Sequence, residues 1–236
     1  MTANAQRLQE VQFLQHLEKY APGRLSMNYI VQLLDFFSHH GPNGTHQCVV
    51  FELLGPSVDM VLEDYGEELC NLDPETILQI SIQILRGIKF IHSASMCHGG
   101  EYCIPCRDRL HADQISDISG QNITFTCTRL LHTAKEQLFK VIGAPKIEPL
   151  ARLDGVPLPD NLPTQLVKAA EWVEWTDEDD EDIRLFDFGE SFLQGEEPEK
   201  LAQPGMLRVP EIIFTETFDH RVDLWRAGCM VSWMFI

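Results

Sequence analysis

Between residues 6 and 19 the apolar side chains fall at Leu8, Val11, Phe13, Leu14 and Leu17, and this spacing predicts an amphipathic helix. The segment from Tyr29 to Phe37 is mostly apolar and reads as a strand. Gly41-Pro42-Asn43-Gly44 is a turn signal, and Cys48 to Leu54 is a second, largely apolar strand suited to a buried sheet position. Residues 29–54 therefore predict a β-hairpin with a loop of several residues. Asp73-Pro74-Glu75 has the pattern of a helix start, with a capping carboxylate, proline in the first turn and an acid near the positive end of the dipole. Ile77, Ile84, Ile88 and Ile91 share one face of that helix, which runs to about Ser93. Residues 100–116 show no clear period. Ile123 to Thr126 predicts a strand followed by a proline-rich connection, Ile183 to Phe186 a short strand, 190–211 an irregular loop, and Val222 to Ile236 a buried helix with no stop signal.

Length and composition add bounds. A chain of 236 residues holds one or two domains, and 44% hydrophobic with 23% charged residues is ordinary for a globular protein. The formal net charge of −18 disfavours nucleic acid and anionic membrane as partners and favours basic ones. The acidic run from Asp177 to Asp182 reads as solvated loop. No apolar run reaches membrane-spanning length, and the N-terminus lacks the apolar core of a signal peptide. Seven scattered cysteines do not form a disulfide pattern, so the composition predicts a reducing, intracellular setting, cytoplasm and/or nucleus.

The candidate chemistry lies in a divided motif. His98-Gly99 is separated from Asp117-Ile118-Ser119-Gly120-Gln121-Asn122, and removing 100–116 fuses the two into the H-x-D-x-x-x-x-N spacing of a kinase catalytic loop, with Asp187-Phe188-Gly189 downstream. Phosphoryl transfer needs a carboxylate to orient the attacking hydroxyl and oxygen ligands to hold Mg²⁺ across the ATP phosphates. Asp117 is the candidate base, and Asn122 and Asp187 are the candidate metal ligands. Each piece alone is a weak signal; their order is a strong one.

With these elements the chain resembles a eukaryotic protein kinase, and most closely the SR-protein-specific serine/threonine kinases, over nearly everything except 100–116. The resemblance implies an α+β fold in two parts. Residues 1–54 would be a truncated N-lobe, a partial antiparallel sheet with an αC-like helix, ending in the hinge. Residues 55–236 would be an incomplete, mainly helical C-lobe, with 100–116 an anomalous insertion and 123–182 a spacer of the family type. It implies Phe51 as gatekeeper, the backbone of Glu52 and Leu54 against adenine, and Glu10 at the αC glutamate position. Pro210-Glu211 resembles the end of the activation segment, and Asp223-Leu224-Trp225 the helix whose aspartate anchors the catalytic loop. ATP and Mg²⁺ are the implied cofactors, with serine in basic Arg/Ser-rich proteins as acceptor, a partner class the acidic balance suits. The His-Gly-Asp and Asn elements also resemble aminoglycoside and choline phosphotransferases, which would not be expected to show the Pro210-Glu211 and Asp223-Leu224-Trp225 pair.

The chain departs from the kinase pattern in several places. No Gly-rich loop precedes residue 10, and no Val-Ala-Ile-Lys strand occurs, so Glu10 is expected to be a surface acid and the chain to be impaired, inactive or a pseudokinase-like interaction module. With no helices after the αF-like segment, Glu211 is expected to lack its usual arginine. Gly99 stands where most kinases carry the arginine that reads a phosphorylated activation loop, which implies no control of that type. Cys97, Cys103, Cys106 and His111 are zinc-type ligands, but a lone C-x-x-C is a weak signal. Residues 100–116 can equally be encoded with a splice donor at Gly100-Glu101-Tyr102, a branch-point-like sequence at Ala112-Asp113 and an acceptor at Ile115-Ser116-Asp117. They read best as a retained intron translated in frame. A transcript with no spliced product across codons 99–118 would sink that reading.

Overall fold

Val11, Leu14 and Leu17 anchor the first helix, α1 (Ala3–Tyr20), in the core, while Leu8 is exposed. The computed structural model describes residues 3–21, 27–42, 44–67, 72–99, 120–172, 181–201, 209–215 and 217–235. After α1 comes an antiparallel ribbon of β1 (Leu33–Gly41) and β2 (Gly44–Phe51), paired from Leu33 opposite Phe51 to Gly41 opposite Gly44 with a register shift between Leu33 and Asp35.

The ribbon differs from the sequence expectation in three ways. It begins at Leu33, because the chain before it is drawn into the core: Ile30 and Val31 are buried, the Leu185 amide donates to Tyr29 O (2.8 Å), and the Val31 amide donates to Leu185 O (3.0 Å). The loop is tight, with only positions 42–43 between the paired glycines, and Gly44 takes a φ of +122° that side chains with a Cβ rarely adopt. Most of the strand surface is exposed, including Leu34, Phe36, Phe37 and Val50, because no third strand joins the ribbon among the described residues.

From Leu54 the chain leaves the ribbon. β3 (Leu54–Ser57) pairs with β5 (Ile123–Thr126), and β5 with β8 (Ile183–Leu185), forming a three-stranded antiparallel sheet. α2 (Val58–Glu67) follows β3 directly. α3 (Pro74–Ser93) starts where the sequence predicts: the Asp73 carboxylate accepts from the amides of Glu75 (2.9 Å) and Thr76 (3.4 Å). It buries Ile77, Ile80, Ile84, Ile88 and Ile91. Gly87 lets it lie close against the sheet, since a Cβ there would sit 2.7 Å from Leu185 Cδ1. β4 (Met96–Cys97) pairs with β9 (Phe192–Leu193), a short bridge inside the region predicted as irregular loop. α5 (Pro210–Phe214) precedes α6 (Val222–Met234), which packs on α3 through Ala227, Met230 and Met234 and ends at the Phe235 cap.

The connection after β5 carries order that its prolines conceal. It holds α4 (Lys135–Ile142) and a hairpin of β6 (Ile147–Pro149) with β7 (Gln165–Val167). Its ends are tied together. The Thr126 amide donates to Asp182 O (2.7 Å), and the Glu181 carboxylate accepts from the Thr126 hydroxyl, the Thr128 amide (3.0 Å) and the Thr128 hydroxyl (2.8 Å). Among the described residues no helix is long and apolar enough to cross a membrane.

Candidate active site

Strand pairing brings the two predicted metal ligands together. Ile123 on β5 lies opposite Leu185 on β8, so Asn122 and Asp187 emerge from the same end of adjacent strands, and the Phe186 amide donates to Asn122 O at 2.9 Å. Asp187 adopts a φ of +64°, a left-handed conformation that costs a non-glycine residue about 1 kcal/mol or more. Its Oδ1 accepts from the Gly189 amide at 3.3 Å, which helps hold the bend. Phe188 is fully buried, with its ring centroid 4.7 Å from that of His98.

Glu10 is not the surface acid the sequence suggested. Its Oε1 accepts from the Phe188 amide (3.4 Å), so α1 is fastened to the Asp-Phe-Gly segment. The physical reason was present in the periodicity: Glu10, Leu14 and Leu17 stand at i, i+4 and i+7 on one helix face, and the last two are buried. Burial, then the charge of Asp187, pushes the Glu10 carboxyl above its usual range, against the opposing effects of the Phe188 amide and Arg7. A raised folded pKa means that Glu10 favours folding at acid pH, and that this contribution is lost as pH rises through the folded value. Glu10→Gln keeps an acceptor oxygen and removes the repulsion. It is expected to match the parent near pH 4 and to exceed it at pH 8, by about 1 kcal/mol or less for a part-exposed contact. Urea midpoints at the two pH values measure this, and a variant weaker at pH 8 would contradict the repulsion.

The lead-in to the divided motif hangs on one carboxylate. Asp223, buried in the first turn of α6, accepts from His92 Nε2 (3.0 Å), the His98 amide (2.9 Å) and the Gly99 amide (3.2 Å). Burial alone would raise its pKa; the hydrogen bond from His92, the nearby His98 and the backbone amide hold it below the usual range. His98 is held from its other side, with Nε2 at 3.1 Å from Phe186 O, and burial lowers its pKa despite Asp223 and Asp187 nearby. Ser191 Oγ donates to His98 O (2.8 Å), and the Arg226 guanidinium donates to Gly99 O. Gly99 has a φ of +76°, and a Cβ there would lie 2.1 Å from Glu190 O. The position that departs from the common kinase arginine is one where this backbone tolerates only glycine.

The hinge candidates adjoin the same sheet. Phe51 stands edge-on to Phe186, centroids 5.1 Å apart, one residue before Asp187. Glu52 exchanges backbone and side-chain bonds with Gln32: its amide donates to Gln32 O (3.0 Å), and its Oε1 accepts from the Gln32 amide (2.8 Å). Leu54 opens β3 opposite Thr126. Phe51, Leu54, Asn122 and Asp187 are thus gathered around β3–β5–β8. Asp117 lies outside the described residues, as do Cys103, Cys106 and His111. Cys97 is buried, and burial raises its thiol pKa strongly. Among the described residues no group of three His, Cys, Asp or Glu could hold a metal ion. One oxygen of Glu211, Oε2, is buried with no described hydrogen-bond partner.

A solved kinase domain matches this arrangement with a TM-score of 0.54 at 19% identity, covering 94% of this chain and 50% of that one. The fold is that of a protein kinase. The sequence points the same way. The dual specificity protein kinase CLK1 of Homo sapiens is 26% identical over 222 residues, which is 94% of this chain and 34% of that protein. Protein kinase dsk1 of Schizosaccharomyces pombe is 33% identical over 85 residues, 36% of this chain and 15% of the relative. The serine/threonine-protein kinase SKY1 of Saccharomyces cerevisiae is 37% identical over 68 residues, 29% of this chain and 9% of the relative. The chain therefore spans about a third or less of these relatives' lengths. No protein-family model matches it. The likeness to SR-protein-type kinases, drawn from the motifs, agrees with these matches.

Proposed function

We propose that this chain is built on the plan of an ATP-dependent serine/threonine kinase that phosphorylates serine in basic Arg/Ser-rich proteins, and that these 236 residues by themselves transfer phosphate weakly or not at all. In this reading residues 1–54 are the N-lobe portion with the hinge, 55–236 belong to the C-lobe, and the protein works in the cytoplasm or nucleus. The observation that supports it best is the meeting of Asn122 and Asp187 at one end of β5 and β8. An amide oxygen and a carboxylate suit Mg²⁺, which needs few protein ligands because it keeps waters and substrate phosphates. Asn122 and Asp187 would hold it, and when bound it supplies charge neutralisation to the ATP phosphates. Phe51 would border the adenine, the backbone of Glu52 and Leu54 would contact it, and Asp117 would orient the acceptor hydroxyl. Protein kinases as relatives favour a protein acceptor over an aminoglycoside or choline.

A second reading, a non-catalytic interaction module, applies to these 236 residues taken alone, which contain neither a Gly-rich loop nor a strand lysine to hold phosphates. Thermal unfolding with Mg-ATP separates the two. The first reading expects ATP to raise the unfolding midpoint, a stabilisation of about 2.7 kcal/mol at 100-fold over Kd, and Asp187→Asn to lose most of it. If saturating Mg-ATP leaves the midpoint unchanged and no phosphate reaches an Arg/Ser peptide, the nucleotide reading is wrong and the module reading stands.

A further inference from the structure

Behind the hinge lies a cavity of about 430 Å³ that shares only Glu52 with the nucleotide site of the kinase reading. It opens between the C-terminal end of α1, the start of β1, Glu52 and β8; of the residues given to the nucleotide site only Glu52 lines it, and Phe51, Leu54, Asn122 and Asp187 do not. Its size falls in the range of small-ligand sites. One wall is apolar, formed by Leu14, Met27, Ile30 and Leu33. The charged part consists of two carboxylates, Glu18 and Glu52, and one guanidinium, Arg184, with Asn28 and Gln32 as further polar lining.

The charges are unequally satisfied. Arg184 is engaged through two of its three nitrogens: Nε donates to Glu52 Oε1 (3.0 Å), and one terminal nitrogen donates to Asn28 O and to Ile183 O (3.1 Å). Glu52 spends Oε1 on Arg184 and on the Gln32 amide, and its Oε2 has no hydrogen-bond partner among the described residues. Glu18, on the exposed rim, makes no hydrogen bond or ion pair among them either. It sits in the last turn of α1, where the helix dipole adds negative potential. Among the described residues two acceptors thus stand open beside an apolar wall, in a chain whose net charge of −18 draws basic segments toward it.

We propose that this cavity is a second binding site, distinct from the nucleotide site, that takes an arginine side chain presented by a basic partner segment. The guanidinium would bridge Glu18 and the free oxygen of Glu52, and its aliphatic stem would lie on Leu14, Met27, Ile30 and Leu33. Planar guanidinium donors match carboxylate acceptors, and the weak hydration of the group lowers the cost of taking it into a partly apolar pocket. Because Glu52 follows Phe51, a guest here bears on the hinge from the side away from the chemistry described above.

Calorimetric titration of the full chain with phenylguanidine and with its neutral isostere phenylurea tests the site. Phenylguanidine is expected to bind at least tenfold more tightly. Glu18→Gln should weaken it severalfold without moving the unfolding midpoint, and Ala21→Phe, which fills the cavity from the end of α1, should abolish it. An acetylated Ser-Arg-Ser-Arg peptide should compete with it. Equal affinity for the two compounds, no binding of either, or affinity indifferent to both substitutions would overturn the site. A peptide that fails to compete would overturn its assignment to a protein-borne arginine. The titration needs no ATP, so its outcome is independent of the Mg-ATP experiment.

Discussion

Asp223→Ala is expected to destabilise the fold by about 3–5 kcal/mol, the cost of stripping the acceptor from a buried charged network. The carboxylate holds His92 and the amides of His98 and Gly99, and its removal takes that acceptor from all three. Asp223→Asn should fall between the two, because it keeps one acceptor oxygen. The effect carries a pH signature. Since the folded pKa of Asp223 is lowered, its contribution is fully present above the ordinary carboxylate value and is lost as pH falls through the folded one. Urea unfolding at pH 7 and at pH 3 should therefore show the gap between parent and Asp223→Ala shrinking with acid. A gap below about 1 kcal/mol at pH 7 would mean that water replaces the lost acceptor.

Gly99→Ala is expected to cost about 2–4 kcal/mol, from two separable sources. A left-handed backbone costs a residue with a Cβ about 1–2 kcal/mol, and here the Cβ must also move away from Glu190 O, which it would approach to 2.1 Å. A carbonyl oxygen of the main chain cannot swing aside as a side-chain end can. Gly155 supplies an internal control, with a φ of +73° and nothing within 4 Å of a built Cβ. Gly155→Ala should show the backbone cost alone. The difference between the two substitutions isolates the steric part, and equal losses would show that the Glu190 segment yields. Restoring the common kinase arginine at 99 should be worse still, so the absence of that residue is a property of the local backbone and not a single tolerated change.

Three helices, α1, α3 and α6, were legible because their signals are local, whereas α2 and α5 were not read from the sequence. Asp73-Pro74-Glu75 caps α3, and the isoleucines of that helix do face the core. The apolar period of α1 was equally readable; the role of Glu10 on its buried face was not, since a lone acid among apolar residues looks solvated until the neighbour that donates to it is known. The two ribbon strands were recognised as strands, and the second was misread as buried. Sequence reports a strand's apolarity, whereas burial depends on what lies against it, and Phe36, Phe37 and Val50 have little cover among the described residues. α4 escaped notice because it has no side-chain cap and runs straight into a proline-rich stretch. At the site, Asn122 and Asp187 were named from spacing alone, yet their meeting depends on β5 pairing with β8 across the long spacer, a contact that no local pattern encodes.

That long spacer is closed at its base by Glu181, which grips Thr126 and Thr128, while Asp182 receives the Thr126 amide. The two ends of the excursion are thereby pinned a few ångströms apart. Closing a flexible loop grows costlier only with the logarithm of its length, so lineages can lengthen, shorten or swap the stretch between 129 and 180 with little strain on the sheet that carries Asn122 and Asp187. The clasp makes this stretch a tolerant graft point, where new sequence can be tried without disturbing the enzyme-like frame beneath it.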